Sequence, residues 1–202
     1  FQIHSALSAV FGADYEKSEF KSRSPAASLS TPLPNFARGS AEILGVYAQL
    51  RAEPVSGLHL NAGLRHDDHD VYGGATLFGA GGRWNIGGGT TLRASYGEGF
   101  KAPSLYQLYS EYGNDALAPE RSSGWEAGVS QSLFSEAVTV SALYYERTSK
   151  DQIVYNGCTD GTTDLLCYPA SQGGAFRYGY YANVARSEAR GVEAAAELHL
   201  GP

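Results

Sequence analysis

The sequence predicts an all-β chain, an antiparallel transmembrane β-barrel segment of about eight strands. Three observations predict it. Apolar and polar residues alternate with a period of two in eight separate stretches, which lines one face of each strand with apolar side chains. The links between the stretches alternate long and short, as in a barrel with short turns at one membrane face and longer loops at the other. No run approaches the roughly 18 apolar residues of a membrane helix, so any crossing falls to strands.

The first stretch sets Ile3, Leu7, Ala9, Phe11 and Ala13 against His4, Ser8 and Asp14. A Ser- and Pro-rich link, residues 16–38, leads to Leu44, Val46, Ala48, Leu50 and Ala52, which oppose Tyr47, Gln49 and Arg51. Pro54-Val-Ser-Gly is a tight turn. Leu58, Leu60, Ala62 and Leu64 then oppose His59, Asn61 and Arg65, before a second polar link over 66–74. Phe78, Ala80, Gly82 and Trp84 form the fourth stretch, and Gly87-Gly-Gly turns it into Leu92, Ala94 and Tyr96.

Residues 97–126 carry Pro103 and Pro119, which remove backbone donors and push the preceding residues away from helix. This segment is predicted to be a long ordered loop between two strands. Trp125, Ala127, Val129 and Leu133 follow, then a short link at 134–137 and Val138, Val140, Ala142 and Tyr144. After a link over roughly 155–178, Val192, Ala194, Ala196, Leu198 and Leu200 oppose Glu193, Glu197 and His199. Arg186, Glu188 and Arg190 fall on the apolar parity, and a bulge near Gly191 would absorb that slip.

The two faces differ in chemistry. An arginine facing lipid at mid-strand costs about 2–4 kcal/mol. Arg51, Arg65, Asp67, Arg93, Glu126, Arg147 and Glu193 are therefore expected to face a polar lumen. Trp84 and Trp125 fall near strand ends on the apolar face, where aromatic girdles sit. Periodicity alone also admits a soluble antiparallel sandwich with one polar face.

Composition excludes several classes. The chain has 21 acidic and 15 basic side chains, the reverse of the basic footprint of a nucleic-acid binder. No nucleophile–base pair, phosphate loop or paired catalytic carboxylate stands out, so no enzyme and no cofactor is expected. The first residues lack the basic start and apolar core of a signal peptide. The chain begins inside an alternating pattern and stops at Leu200-Gly-Pro just after another, and it is expected to be an interior piece of a longer protein.

Cys158 and Cys167, with eight residues between them, lie in a polar loop without histidines at ligand spacing. A local disulfide is the preferred reading and two free thiols the alternative. Arg65-His-Asp-Asp-His-Asp70 offers oxygen and imidazole ligands, and Asp67, Asp68 and Asp70 make a weak calcium candidate. Pairing of these charges with one another is the favoured reading, so no metal is expected. Tyr106, Tyr109, Tyr112, Tyr178 and Tyr180 are ligand-contact candidates, since their rings offer rigid surface with a polar tip. Packing of the loop onto the barrel mouth, or an interfacial belt that also includes Tyr181, are the plainer alternatives.

Two landmarks carry a family resemblance. Gly99-Phe100-Lys101-Ala102-Pro103-Ser104-Leu105, Leu108-Tyr109 and Gly113-Asn114-Asp115-Ala116-Leu117-Ala118-Pro119-Glu120-Arg121-Ser122 resemble a segment of TonB-dependent outer-membrane receptors, departing mildly at Asp115, Ala116 and Ala118. Arg190-Gly-Val-Glu-Ala resembles the opening of a later descending strand in that family. The following Glu-Leu-His-Leu-Gly-Pro is similar to cobalamin-receptor-like members. Arg65, Asp67, Asp68, Tyr72 and Gly73 also match a strand-top pattern of the family.

The resemblance implies a 22-stranded barrel plugged by an N-terminal globular domain, with this chain supplying barrel strands only. Plug, signal peptide and TonB box are not expected within it. It further implies an outer-membrane location in lipid. A small-molecule ligand such as a ferric siderophore or cobalamin would bind the extracellular loops, and the TonB complex would act through the plug. Loops 100–121 and 155–178 are expected to face that ligand. A passive porin or structural barrel is the alternative reading.

Overall fold

The computed structural model describes residues 2–4, 6–24, 35–169, 174–184 and 186–199. Residues 25–34 of the first long link, 170–173 of the cysteine loop, and Leu200 lie outside them. The strands are β1 (Gln2–His4), β2 (Leu7–Ser22), β3 (Ala37–Val55), β4 (Leu58–His69), β5 (Gly73–Gly87) and β6 (Thr90–Lys101). After helix α1 (Leu105–Tyr109) come β7 (Glu120–Leu133), β8 (Val138–Lys150), β9 (Ile153–Gly157), β10 (Gly179–Asn183) and β11 (Arg186–Leu198), with a 3₁₀ turn at Leu165–Cys167.

Nine of these strands form one antiparallel sheet in the order β1-β2-β3-β4-β5-β6-β7-β8-β11, while β9 and β10 pair separately. Apart from the last pairing, each strand lies beside its sequence neighbour. The small β9–β10 hairpin is inserted within the β8–β11 connection. The first predicted stretch is two strands, β1 and β2, which themselves pair.

Register shows how the alternation maps onto faces. Ala9 opposes Leu50, Leu50 opposes Ala62, Ala62 opposes Ala80, Ala80 opposes Tyr96 and Tyr96 opposes Trp125. Period-two geometry keeps the whole row on one side of the sheet. Much of that side is uncovered: Phe11 is 64% exposed, Leu64 52% and Val192 72%. A soluble sandwich would bury such a face against a second sheet. Among the described residues no second layer covers it.

The strands run further than their apolar alternation. Tyr15 opposes Leu44 on the apolar face, but pairing continues through Lys17↔Glu42, Glu19↔Ser40 and Lys21↔Arg38. The predicted long link at 66–74 is the clearest correction. His66↔Thr76, Asp67↔Ala75, Asp68↔Gly74 and His69↔Gly73 are all paired, leaving only Asp70, Val71 and Tyr72 as a turn. The bulge predicted near Gly191 is absent too, because β11 pairs β8 without interruption from Arg186↔Lys150 to Leu198↔Val138. Arg186, Glu188 and Arg190 share the face of Val192 but lie beyond its apolar band. Alternation therefore marks where a strand meets an apolar surrounding, and backbone pairing outlasts it.

At one end of the sheet the connections are tight. Ser56-Gly57 and Gly88-Gly89 join neighbouring strands, and Gly88 and Gly89 have φ of 61° and 77°. Two successive left-handed residues make the hairpin turn whose twist suits antiparallel strands. At the other end lie the long connections. The buried apolar residues concentrate there rather than in the sheet: Leu108, Leu117, Cys167 and Tyr180 all belong to those loops.

Candidate functional site: two interlocked loops above a polar sheet face

The connection between β6 and β7 contains a helix that the sequence reading missed. Its start has a local cause. Ser104 Oγ accepts from the Gln107 amide at 3.2 Å, and Gln107 Oε1 accepts from the Ser104 amide at 2.9 Å. This capping box satisfies donors at both positions and makes so short a helix viable. Pro103 precedes the cap, where its missing amide costs nothing.

Helix α1 reaches back over the polar side of the sheet to β3 and β2, three and four places from β6. Phe20 and Gly39 oppose one another on β2 and β3. The Tyr106 ring meets Phe20 edge-on at 6.0 Å, and the Tyr109 ring packs against Gly39. A Cβ at position 39 would sit 2.1 Å from Tyr109 Cδ2, so only glycine admits the ring. Gly39→Val is expected to displace Tyr109 and undock α1 without disturbing the strand ladder. Limited proteolysis should then nick residues 102–119 several-fold faster while heat-modifiable gel mobility stays unchanged; equal nicking would show that this contact does not hold the loop.

The cysteine loop is built around its own small core. Cys158 and Cys167 are disulfide-bonded, with Cys167 buried. β9 and β10 pair over five residues, from Ile153↔Asn183 to Gly157↔Gly179. Asp164 caps the 3₁₀ turn by accepting from the Leu166 amide at 2.9 Å. The Tyr180 hydroxyl donates to Asp164 Oδ2 at 2.5 Å and accepts from Asn156 Nδ2 at 2.7 Å. Tyr180 is thus a core residue of the loop, only 5% exposed.

Arg177, which no sequence signal singled out, joins the two loops. It is 6% exposed. Nε donates to the Leu166 carbonyl at 2.6 Å, and Nη1 to the carbonyls of Gly113 at 2.7 Å and Glu111 at 3.2 Å. A buried guanidinium is tolerable when its fork of donors is satisfied in this way. Burial lowers its pKa from the usual arginine value, an effect opposed by the neighbouring Tyr180 and Asp164.

Further bonds tie the loops together. The Tyr181 amide donates to the Tyr112 carbonyl at 3.0 Å, and Asn114 Nδ2 returns a bond to the Tyr181 carbonyl at 3.0 Å. The Ala118 amide donates to Asn183 Oδ1 at 2.8 Å, while Asn183 Nδ2 donates to the Ala118 carbonyl at 2.9 Å. A chain of edge-on rings runs alongside: Tyr112–Tyr155 at 5.7 Å, Tyr155–Tyr181 at 5.7 Å and Tyr181–Tyr106 at 6.2 Å. Each such pair adds about 0.5–1.5 kcal/mol beyond its buried area. Tyr112, Tyr109 and Tyr106 therefore hold the assembly together, although Tyr106 keeps 43% of its surface exposed. Tyr178 is 76% exposed, with Phe176 edge-on at 5.5 Å.

The Tyr180 hydroxyl, followed by the Leu166 amide, holds the Asp164 carboxyl below its ordinary value of 3.8. A carboxyl depressed on folding stabilises above its unfolded pKa and loses that contribution as pH falls through the folded value. Amide protection in residues 153–183 is accordingly expected to be flat from pH 7 to about 4 and to fall below it. Asp164→Asn should abolish that acid-side step, which hydrogen exchange by mass spectrometry reads directly.

Register places Arg51, Arg65, Asp67, Arg93, Glu126, Arg147 and Glu193 on the sheet's polar face: Arg51 opposes Asn61, Glu126 opposes Ser95 and Tyr145, Arg147 opposes Gly124, and Glu193 opposes Leu143. Arg65 there bridges Asp14, at 2.8 and 2.9 Å, and Asp67, at 2.6 and 3.0 Å. It lies across Gly45, where an added Cβ would come within 2.2 Å of Nη2. Asp68 points to the opposite face, and Asp70 sits in the turn beside His69 at 3.2 Å. The three aspartates of the calcium reading are thus separated by strand alternation. Among the described residues no group of three or more His, Cys, Asp or Glu side chains suits a metal ion.

One sheet with an uncovered apolar face, a charged opposite face, tight turns at one end and ordered loops at the other defines the transmembrane β-barrel class. Within that class, the TonB dependent receptor-like β-barrel family model matches residues 1–201. The chain belongs to this family.

Solved structures agree on the fold. The siderophore receptor PirA from Acinetobacter baumannii is 18% identical with a TM-score of 0.71, over 98% of this chain and 33% of that one. A mutant of the ferric enterobactin receptor PfeA from Pseudomonas aeruginosa is 21% identical with a TM-score of 0.70, over 93% and 30%. The copper transporter OprC is 17% identical with a TM-score of 0.71, over 98% and 34%. The chain spans about a third of the length of these proteins.

Proposed function

We propose that this chain supplies part of the barrel wall and part of the ligand-facing loops of an outer-membrane receptor for TonB-dependent uptake of a bulky, scarce nutrient. Its apolar face would meet outer-membrane lipid, and its polar face, including Arg51, Arg93, Glu126, Arg147 and Glu193, would line the lumen. Among the described residues β1 and β11 are the unpaired edges of the sheet, which supports a longer closed barrel, since unpaired backbone groups in lipid cost several kcal/mol each. A plug elsewhere in the protein would fill that lumen and couple it to the TonB complex.

The observation that carries the reading is the interlocked pair of loops. They stand at one end of the sheet, α1 of the first reaches over the polar face, and the two are fixed to one another by Arg177 and the aromatic chain. A passive pore has no need of such a preorganised structure, whereas a receptor gains affinity from it. Among the ligand-contact candidates, Tyr178 and Tyr106 present exposed rings. A metal chelate is the favoured substrate class, in keeping with the siderophore and copper relatives. Cobalamin rests on the terminal segment alone, part of which lies outside the described residues.

The test uses the full-length receptor. Replacing residues 104–118 and 158–178 with Gly-Ser spacers should weaken binding of a ferric siderophore panel at least tenfold, with cobalamin measured alongside. Unchanged affinity for every ligand bound by the parent would remove these loops from the site. Fractionation of the native protein should recover it with the outer membrane.

A further inference from the structure

A row of like charges on the outward face outnumbers the carboxylates beside it. Arg121 on β7 is the direct partner of Lys150 on β8, and Lys150 of Arg186 on β11. All three share the face of Trp125, Tyr144 and Val192 and are exposed. Facing side chains on neighbouring strands start only about 4.5–5.5 Å apart, and like charges directly opposite are destabilising. Arg186 pairs with Glu188, and Arg121 packs over the Phe100 ring at 5.4 Å. The Lys150 side chain, flanked by cations on both sides, has no ion pair or hydrogen bond among the described residues. With Arg190 and its partner Glu146, the patch holds four cations and two carboxylates.

Its height is as informative as its charge. Trp125 and Tyr144, with ring centroids 5.2 Å apart, cap the apolar band on these strands. Arg121 lies four residues further along β7, about 13 Å at strand rise and roughly 9 Å along the normal for a strand tilted near 45°. The headgroup layer adds about 5–8 Å beyond the hydrocarbon on each side. Long basic side chains bending back toward the band would reach that layer.

We propose that Arg121, Lys150 and Arg186 form a binding site for the phosphate groups of an anionic lipid headgroup in the leaflet on the long-loop side. Phosphate oxygens would sit between the three cations and relieve their repulsion, and the acyl chains would lie on the apolar band below. Arginine supplies a forked donor set and lysine a point charge, both suited to phosphate. The inference rests on the membrane-spanning reading, which fractionation tests separately.

The experiment uses full-length receptor in zwitterionic detergent, titrated with bis-phosphorylated lipid A and followed by thermal unfolding. Wild type is expected to bind with an affinity that falls as salt rises, and Lys150→Arg to bind alike. The triple variant Arg121→Gln, Lys150→Gln, Arg186→Gln should bind at least tenfold more weakly. Inorganic phosphate at matched phosphorus concentration should not reproduce the stabilisation. Equal binding by wild type and triple variant, no binding by wild type, or equal stabilisation by inorganic phosphate would each overturn the proposal. Should the triple variant not fold, by heat-modifiable mobility, Lys150→Gln alone is decisive: about threefold weaker binding supports the site, and unchanged binding overturns it.

Discussion

Arg177→Ala is expected to uncouple the two long loops while leaving the strand ladder intact. The substitution removes donors to the carbonyls of Leu166, Glu111 and Gly113, contributed by both loops. Hydrogen bonds to a charged group contribute about 1.5–3 kcal/mol each. Water entering the vacated space would recover part of that, so a net loss of about 3 kcal/mol is the working figure. At 1.4 kcal/mol per decade, the Tyr181 amide, bonded to the Tyr112 carbonyl, should exchange roughly 100-fold faster. Arg177→Lys should recover little, because one ammonium cannot reproduce a planar fork reaching both loops. Wild-type exchange at Tyr181 in the alanine variant would mean that the asparagine clamps alone hold the loops.

Ala94→Arg should prevent or severely weaken insertion, whereas Ser95→Arg should be tolerated. The two residues are adjacent on β6 but face opposite ways. Ala94 lies between Gly82 and Ala127 in the apolar row; Ser95 lies between Gly81 and Glu126 on the polar side. An arginine at a lipid-facing mid-barrel position costs about 2–4 kcal/mol. At 95 the guanidinium would have the Glu126 carboxylate opposite, and cross-strand charge pairs add a few tenths to about 1 kcal/mol. Refolding into vesicles, scored by heat-modifiable mobility, separates the outcomes. Equal yields would contradict the assignment of the apolar face to lipid.

Strand identity was legible because period-two alternation is imposed by the surroundings of each residue. Leu60, Ala62 and Leu64 against Asn61 and Arg65 can be read without a structure. Alternation ends before the strands do. Lys17, Glu19 and Lys21 are as firmly paired as Ala9 and Phe11, but their outward side chains are charged and so read as a link. The same cause turned His66–His69 into a predicted loop and Arg186–Arg190 into a predicted bulge.

The loops divide differently. Pro103, Pro119 and the Gly113-Asn114 landmark marked an ordered segment and the family, and Ser104 with Gln107 at the capping-box spacing could have revealed α1. Nothing local pointed to Arg177, because its partners lie more than sixty residues away in the chain for Glu111 and Gly113. Tyr180 is a ligand-contact candidate on its residue type alone, whereas its hydroxyl is committed to Asp164 inside the loop.

By itself, the sequence determined strand polarity, the two faces and the membership of the family, since these follow from side-chain period and from contiguous motifs. Only the tertiary structure decided how far each strand extends, that α1 docks on Gly39 and Phe20, and that the β6–β7 and cysteine loops are one unit. The physical reason is range. Alternation and capping act between near neighbours, whereas a buried guanidinium, an asparagine clamp and a ring resting on a glycine need residues brought together by the fold.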